Sequence, residues 1–187
     1  MSKKKVTNKN DIIELRVKRF LAMVIDWYLT NMLAVIPITF YFRNGDYLQP
    51  YMFDFTHYDF QTALLLILYG IAIGLIYYII IPVFLWKGQT LGKKICKIQI
   101  VDINENNITL KTMLLRELVG ATLLEGGIVI TATYLRKLLP VLGFTSFVEP
   151  LKYLAYGLTL LSILYAYFQP NSQSFHDKIA QTIIKKK

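Results

Sequence analysis

The sequence predicts an all-α membrane protein of about four transmembrane helices, with a small cytoplasmic β-hairpin between the second and third. Three observations carry that expectation. Hydrophobic residues make up 55% of the 187 and charged residues only 18%, with a mean hydropathy of +0.42; soluble domains carry roughly 25% charged residues. The apolar residues fall in long blocks, and about 20 in a helix cross a bilayer core. The remaining charge is basic, a net +9, and it gathers in the segments between and beyond the blocks. In a soluble chain that excess would point to nucleic acid. Here it reads instead as Lys and Arg at cytoplasmic helix ends, and no nucleic-acid partner is expected.

The first span is FLAMVIDWYLTNMLAVIPITFYF (20–42), interrupted by Asp26, Asn31 and Pro37. The second, TALLLILYGIAIGLIYYIIIPVFLW (62–86), carries no charge, and its Gly70 and Gly74 share a face suited to close helix packing. The third, LVGATLLEGGIVITATYL (118–135), is shorter and holds Glu125, so a shallow or re-entrant course is its alternative. The fourth, FVEPLKYLAYGLTLLSILYAYF (147–168), is clean from Tyr153 onward, with Glu149, Pro150 and Lys152 at its entrance. The basic start precedes no cleavage-like site, so the first span is expected to be retained.

Charge orients these spans. Lys3, Lys4, Lys5, Lys9, Arg16, Lys18 and Arg19 precede the first span. Lys87, Lys93, Lys94, Lys97, Lys111 and Arg116 lie between the second and third, and Lys178, Lys185, Lys186 and Lys187 follow the fourth. The 43–61 loop sets Arg43 against Asp46, Asp54 and Asp59. Both termini and the 87–117 segment are therefore expected in the cytoplasm, with Arg136 and Lys137 an awkward pair outside. Residues 1–15 and 185–187 read as basic tails at anionic lipid headgroups, and 16–184 as one membrane domain. Within 87–117, ICKIQIV (95–101) ends in alternation, DINENN supplies turn residues, and ITL (108–110) is the expected returning strand. Thr109 is a candidate N-cap for the helical KTMLLRELVG.

Asp26 stands out because a charged side chain at bilayer depth costs on the order of 3 kcal/mol or more. Arg19 returns to the same helix face, but about 10 Å away along the axis, too far for a direct salt bridge. Asp26 thus reads in two ways: as a buried acceptor tying the first span to another element, or as a cation- or proton-binding carboxylate. Glu125 sits at matching depth if the third span enters from the cytoplasm. The two acids would then share a proton or cation, since like charges there cannot both ionise cheaply. The loop KGQTLGKKI (87–95) lacks the glycine spacing of a phosphate-binding loop. It reads as a supporting turn in which Gly88 and Gly92 bend the chain, Gln89 and Thr90 offer polar groups, and Lys93 and Lys94 face headgroups. In SQSFHDKIAQTII (172–184), Asp177 is placed to cap a short helix, and His176 reads as a surface bystander. Cys96 is the sole cysteine and, with His57 and His176, forms no zinc-type cluster. No disulfide, metal or cofactor is expected.

In order and spacing, RFLAMVIDWYL, with Arg19 and Asp26, and SFHDKIAQTII, with Asp177, resemble the RDD family of bacterial membrane proteins. KGQTLGKKICKIQIVD is similar to that family's connecting segment, and LLRELVG puts Arg116 where similar sequences have a basic residue. Gln181 departs from the pattern, standing where a small glycine is usual. The resemblance implies a multi-pass protein of the bacterial cell membrane, and it implies transport of unidentified ligands, or cation/proton antiport in some members, rather than catalysis.

Two functions follow. In the first, Asp26 and Glu125 form an alternately protonated and cation-occupied site, with Arg19 and Asp177 as a cytoplasmic gate. So few spans would then require a homo-oligomer. In the second, a non-transporting accessory or regulatory protein works with another membrane protein, and Arg19, Asp26 and Asp177 are a structural polar cluster. An enzyme is not expected, because the chain has no Ser/His pair, metal-ligand spacing or GxSxG element.

Overall fold

Lipid offers no partner for a backbone N–H or C=O, so apolar segments must satisfy those groups within themselves. The apolar blocks of this chain accordingly close into helices in a computed structural model that describes residues 9–41 and 49–187. Lys3, Lys4, Lys5, Arg43 and Asp46 lie outside the described residues. Among the described residues, three helices are long and apolar enough to cross a membrane, or four if one bent pair counts as a single span. The helical membrane class and the small antiparallel sheet are therefore both present.

Helix α1 covers Lys9–Tyr41, so residues 9–15, expected as tail, are its first turns. They are held there because Asp11 and Glu14 accept hydrogen bonds from the Lys186 ammonium at 2.9 and 2.5 Å. Helix α2, Phe60–Leu75, starts where the Asp59 side chain accepts from the Thr62 amide at 2.9 Å. It continues through Ile76–Leu85 in wider π-helical turns around Pro82, whose missing N–H removes a rung of the ordinary ladder. Gly70 and Gly74 pack within the chain. A side chain at Gly70 would strike the Tyr134 ring, and one at Gly74 would strike Thr131 and Ile130.

The third span is broken rather than continuous over 118–135. Helix α4, Leu110–Leu114, is capped by Thr109 as expected and runs on in π-helical geometry through Leu115–Glu125. Gly126 then turns left-handed at φ 64°, a conformation glycine adopts without steric penalty. Helix α5, Ile130–Val141, leaves at 51° to the preceding helix. The Arg136 guanidinium donates to the freed Gly126 carbonyl, and the Lys137 ammonium donates to the Phe53 carbonyl at 2.5 Å. Both awkward cations are thus engaged by backbone. Helix α6, Val148–Phe168, agrees with the expected fourth span.

The rest forms a polar cap at one end: α3 (Leu91–Ile95), β1 (Ile98–Asp102), α7 (Phe175–Ile179) and β2 (Thr182–Lys186). β1 pairs antiparallel with β2, from Ile98 opposite Lys186 to Asp102 opposite Thr182. The returning strand therefore comes from the end of the chain, not from 108–110. The DINENN turn does form, with Asp102 accepting from the Asn104 and Asn106 amides at 2.9 and 2.7 Å. It makes a single bridge, Val101 to Asn107, because Thr109 immediately begins α4. Lys185 and Lys186, expected as tail, complete β2.

Two apolar clusters hold these parts. One joins Ala34, Ile38, Ile67, Ile130 and Tyr134 of the long helices to Met52 and Phe55. The other sets Ala22 and Ile79 against Ile98, Ile100 and Ile184 of the sheet. Overpacking a close contact costs about 1–3 kcal/mol. Gly74→Leu is expected to lower the melting temperature in detergent, whereas Gly157→Leu on α6, with open space around it, is expected to leave it unchanged.

Candidate functional site

Three buried carboxylates organise the boundary between helices and cap. Asp26, 1% exposed, meets the 87–95 turn. That turn is held to the sheet by the Ile100 amide donating to the Gly88 carbonyl at 2.8 Å and the Gln89 side chain donating to the Ile98 carbonyl at 2.7 Å. Thr90 caps α3. Asp26 Oδ1 accepts from the Tyr77 hydroxyl at 2.6 Å and the Gly92 amide at 2.8 Å. Its Oδ2 accepts from the Thr90 hydroxyl at 2.5 Å and the Lys93 ammonium at 3.2 Å. A carboxylate offers about four lone-pair sites, and these donors occupy them. Gly92 is required, since a Cβ there would meet the Ala22 carbonyl and the Asp26 carboxylate itself. Lys93, expected at headgroups, turns inward as the counter-ion, while Lys94 lies 4.7 Å over the Trp86 ring.

The second centre is Asp177, with no exposed surface. Ser174, not Asp177, is the N-cap of α7; Asp177 is the third helical residue and completes a reciprocal capping box. Its Oδ2 accepts from the Ser174 amide at 3.1 Å, the Ser174 hydroxyl at 2.8 Å and Arg19 at 2.7 Å. Its Oδ1 accepts from Arg116 Nη2 at 2.9 Å and Nε at 3.2 Å. Arg19 also donates to the Ser172 carbonyl, and Arg116 also pairs with Glu117. The expected proximity of Arg19 and Asp177 is therefore a direct ion pair. Burial by itself would raise the Asp177 pKa, but Arg19 and Arg116, with His176 and the Ser174 bonds, hold it well below the ordinary carboxylate value.

The third centre is Glu125. Its Oε1 takes the Ser162 hydroxyl at 2.7 Å, the His176 amide at 3.0 Å and the His176 ring Nδ1 at 2.9 Å. His176 is therefore no bystander. Its Nε2 lies 2.9 Å from the Ser174 hydroxyl and 3.7 Å from Asp177 Oδ1, so one ring links two carboxylates. Asp26 and Glu125 do not share a partner. Each has its own donors, although both line one cavity of about 380 Å³ together with Arg16, Arg19, Lys93 and His176. Among the described residues, no group of three His, Cys, Asp or Glu side chains is placed to hold a metal ion.

Tyr77, Ser162 and the linking role of His176 escaped the sequence reading. The Ser-x-x-Asp spacing of 174–177 was the one available signal, because it is capping-box spacing. Apolar helices joined to a polar cap through hydrogen-bonded buried carboxylates define a helical membrane protein with a polar module at one end. The RDD family model matches residues 15–181, and the chain belongs to the RDD family. No curated protein and no solved structure matches it.

A depressed folded pKa contributes stability that is complete above the unfolded value, about 3.9, and is lost as pH falls through the folded value. Asp177→Asn, which leaves two arginines short of a buried counter-ion, is expected to cost about 3–5 kcal/mol at neutral pH. The gap from the native chain should narrow in thermal melts below about pH 4.

Proposed function

We propose that the chain is a multi-pass accessory or regulatory protein of the cell membrane, non-catalytic and with both termini cytoplasmic. In this reading Arg19, Asp26 and Asp177 fasten a cytoplasmic cap onto the helix ends, where it meets another membrane protein. The carrying observation is the saturation of Asp26. Both of its oxygens are occupied by donors, and one of these, Lys93 at 3.2 Å, already supplies the positive charge a transported cation would bring. Exchange would require breaking that pair and the Thr90 and Tyr77 bonds together. The basic residues of 87–117 and of the C-terminal segment support the orientation, as does the engagement of Arg136 and Lys137 by backbone carbonyls at the far end.

A second reading, cation/proton or small-solute transport, is favoured by the cavity, because the hydrogen-bonded pair of Glu125 and His176 lines it. Liposomes separate the two. With the protein reconstituted and a sodium or potassium gradient imposed, no proton flux above that of empty vesicles is expected, and Asp26→Asn should lower the melting temperature. Cation-dependent flux abolished in a folded Asp26→Asn protein would overturn the accessory reading. Flux lost in Glu125→Gln alone would move transport to the Glu125–His176 pair.

A further inference from the structure

The cavity is bounded on one side by α1 and on the other by α6. α1 packs mainly on α2 and α3, and α6 mainly on the broken third span, so the two helices face each other across the cavity. Arg16, Phe20, Met23 and Trp27 line it from α1, spaced four, three and four residues apart, which is one helix stripe. Ile163, Ala166 and Tyr167 face them from α6. At 1.5 Å per residue the stripe from Arg16 to Trp27 runs about 16 Å, close to half of a ~30 Å hydrocarbon core. Phe20, Trp27, Ile163 and Tyr167 are all exposed at its edges.

At the polar end of this groove one cation has no carboxylate partner among the described residues. Asp26, Glu117 and Glu125 reach the cavity, but each already has its own partners: Lys93 for Asp26, Arg116 for Glu117, and the Ser162 and His176 hydrogen bonds for Glu125. Arg16 differs. It donates to the Ser172 hydroxyl at 3.0 Å and the Gln169 carbonyl at 3.3 Å, and lies 4.7 Å from the Tyr167 ring centre. None of these is a carboxylate, and its Nη1 has no hydrogen-bond partner among the described residues.

We propose that the α1/α6 groove is a binding site for one anionic phospholipid of the surrounding bilayer, its phosphate on Arg16 and an acyl chain along the Phe20–Met23–Trp27 stripe. The guanidinium fork matches a phosphate's oxygens, the Tyr167 ring closes the headgroup end, and the apolar walls take the tail. A soluble anion would satisfy Arg16 but leave those walls uncovered. The site uses neither Asp26 nor Glu125 as an exchanging group and so does not rest on the accessory reading, although it occupies the cavity that favours transport.

Native mass spectrometry of the full chain, released from detergent containing equimolar phosphatidylglycerol and phosphatidylcholine, tests the site. One retained phosphatidylglycerol per chain is expected, preferred about tenfold, which is 1.4 kcal/mol. Arg16→Gln should bring the preference close to parity, and Ala166→Trp, which fills the groove with Arg16 intact, should abolish retention. Thermal melts without added lipid check that both variants fold. If Arg16→Gln is unfolded, Arg16→Lys replaces it and should weaken the preference without reversing it. Equal retention of the two lipids, or retention unchanged by Ala166→Trp, would overturn the proposal. So would full displacement by millimolar inorganic phosphate, or a lipid-free dimer burying α6.

Discussion

A carboxylate removed from water must find its charge and its lone pairs matched inside the protein, and Asp177 is where this chain meets that demand most completely. Arg19 comes from the first long helix, Arg116 from the π-helical continuation of α4, and Asp177 itself from the short helix after α6. One buried anion therefore fastens elements that are far apart in the chain. Replacing such an ionic group by apolar residues often leaves stability unharmed, whereas removing one partner is costly. Its contribution is thus the specification of where the cap sits more than the total strength of the fold.

The same rule recurs at Asp26 and Glu125 with different donors. Asp26 is met by a hydroxyl from α2, the opening amide and cap of α3, and one lysine. Glu125 lies where the third span breaks, and the opening of α7 supplies it with an amide and a ring nitrogen. Short helices of the cap thus bring backbone N–H groups to acids carried by the long helices. That leaves the apolar faces to pack where they can, and α1 and α6 meet through Arg16 and Tyr167 at the polar end while facing each other across the cavity.

Much of this was legible in the residues. Apolar length revealed the spans, Thr109 announced its helix, and of the motif residues Asp26 and Asp177 are carboxylate centres of the polar boundary, with Arg19 a partner of Asp177. The break in the third span was foreshadowed by Glu125 and its two glycines. What stayed hidden was long-range pairing. The closing lysines read as a tail set apart from TII, yet TIIKK becomes β2 because Ile184 is drawn into the cluster with Ile98 and Ile100. Lys93 and Lys94 look alike in sequence, and only the placement of α3 turns one inward and the other onto a ring. Gln181, the departure from the usual glycine, takes the left-handed conformation at φ 51°, which explains why glycine suits that position.

The separation between the Asp26 carboxylate and its donors also shapes how the protein must be made. Tyr77 is 51 residues downstream, Thr90 is 64, and the arginine seven positions before Asp26 waits 158 residues for Asp177. A ribosome therefore delivers α1 with its acid and its arginine unaccompanied, at an insertion cost on the order of 3 kcal/mol for the acid alone. Until the second hydrophobic segment emerges the acid lacks Tyr77 and Thr90, and the arginine's partner is among the last residues synthesised, so the polar boundary closes late in biogenesis.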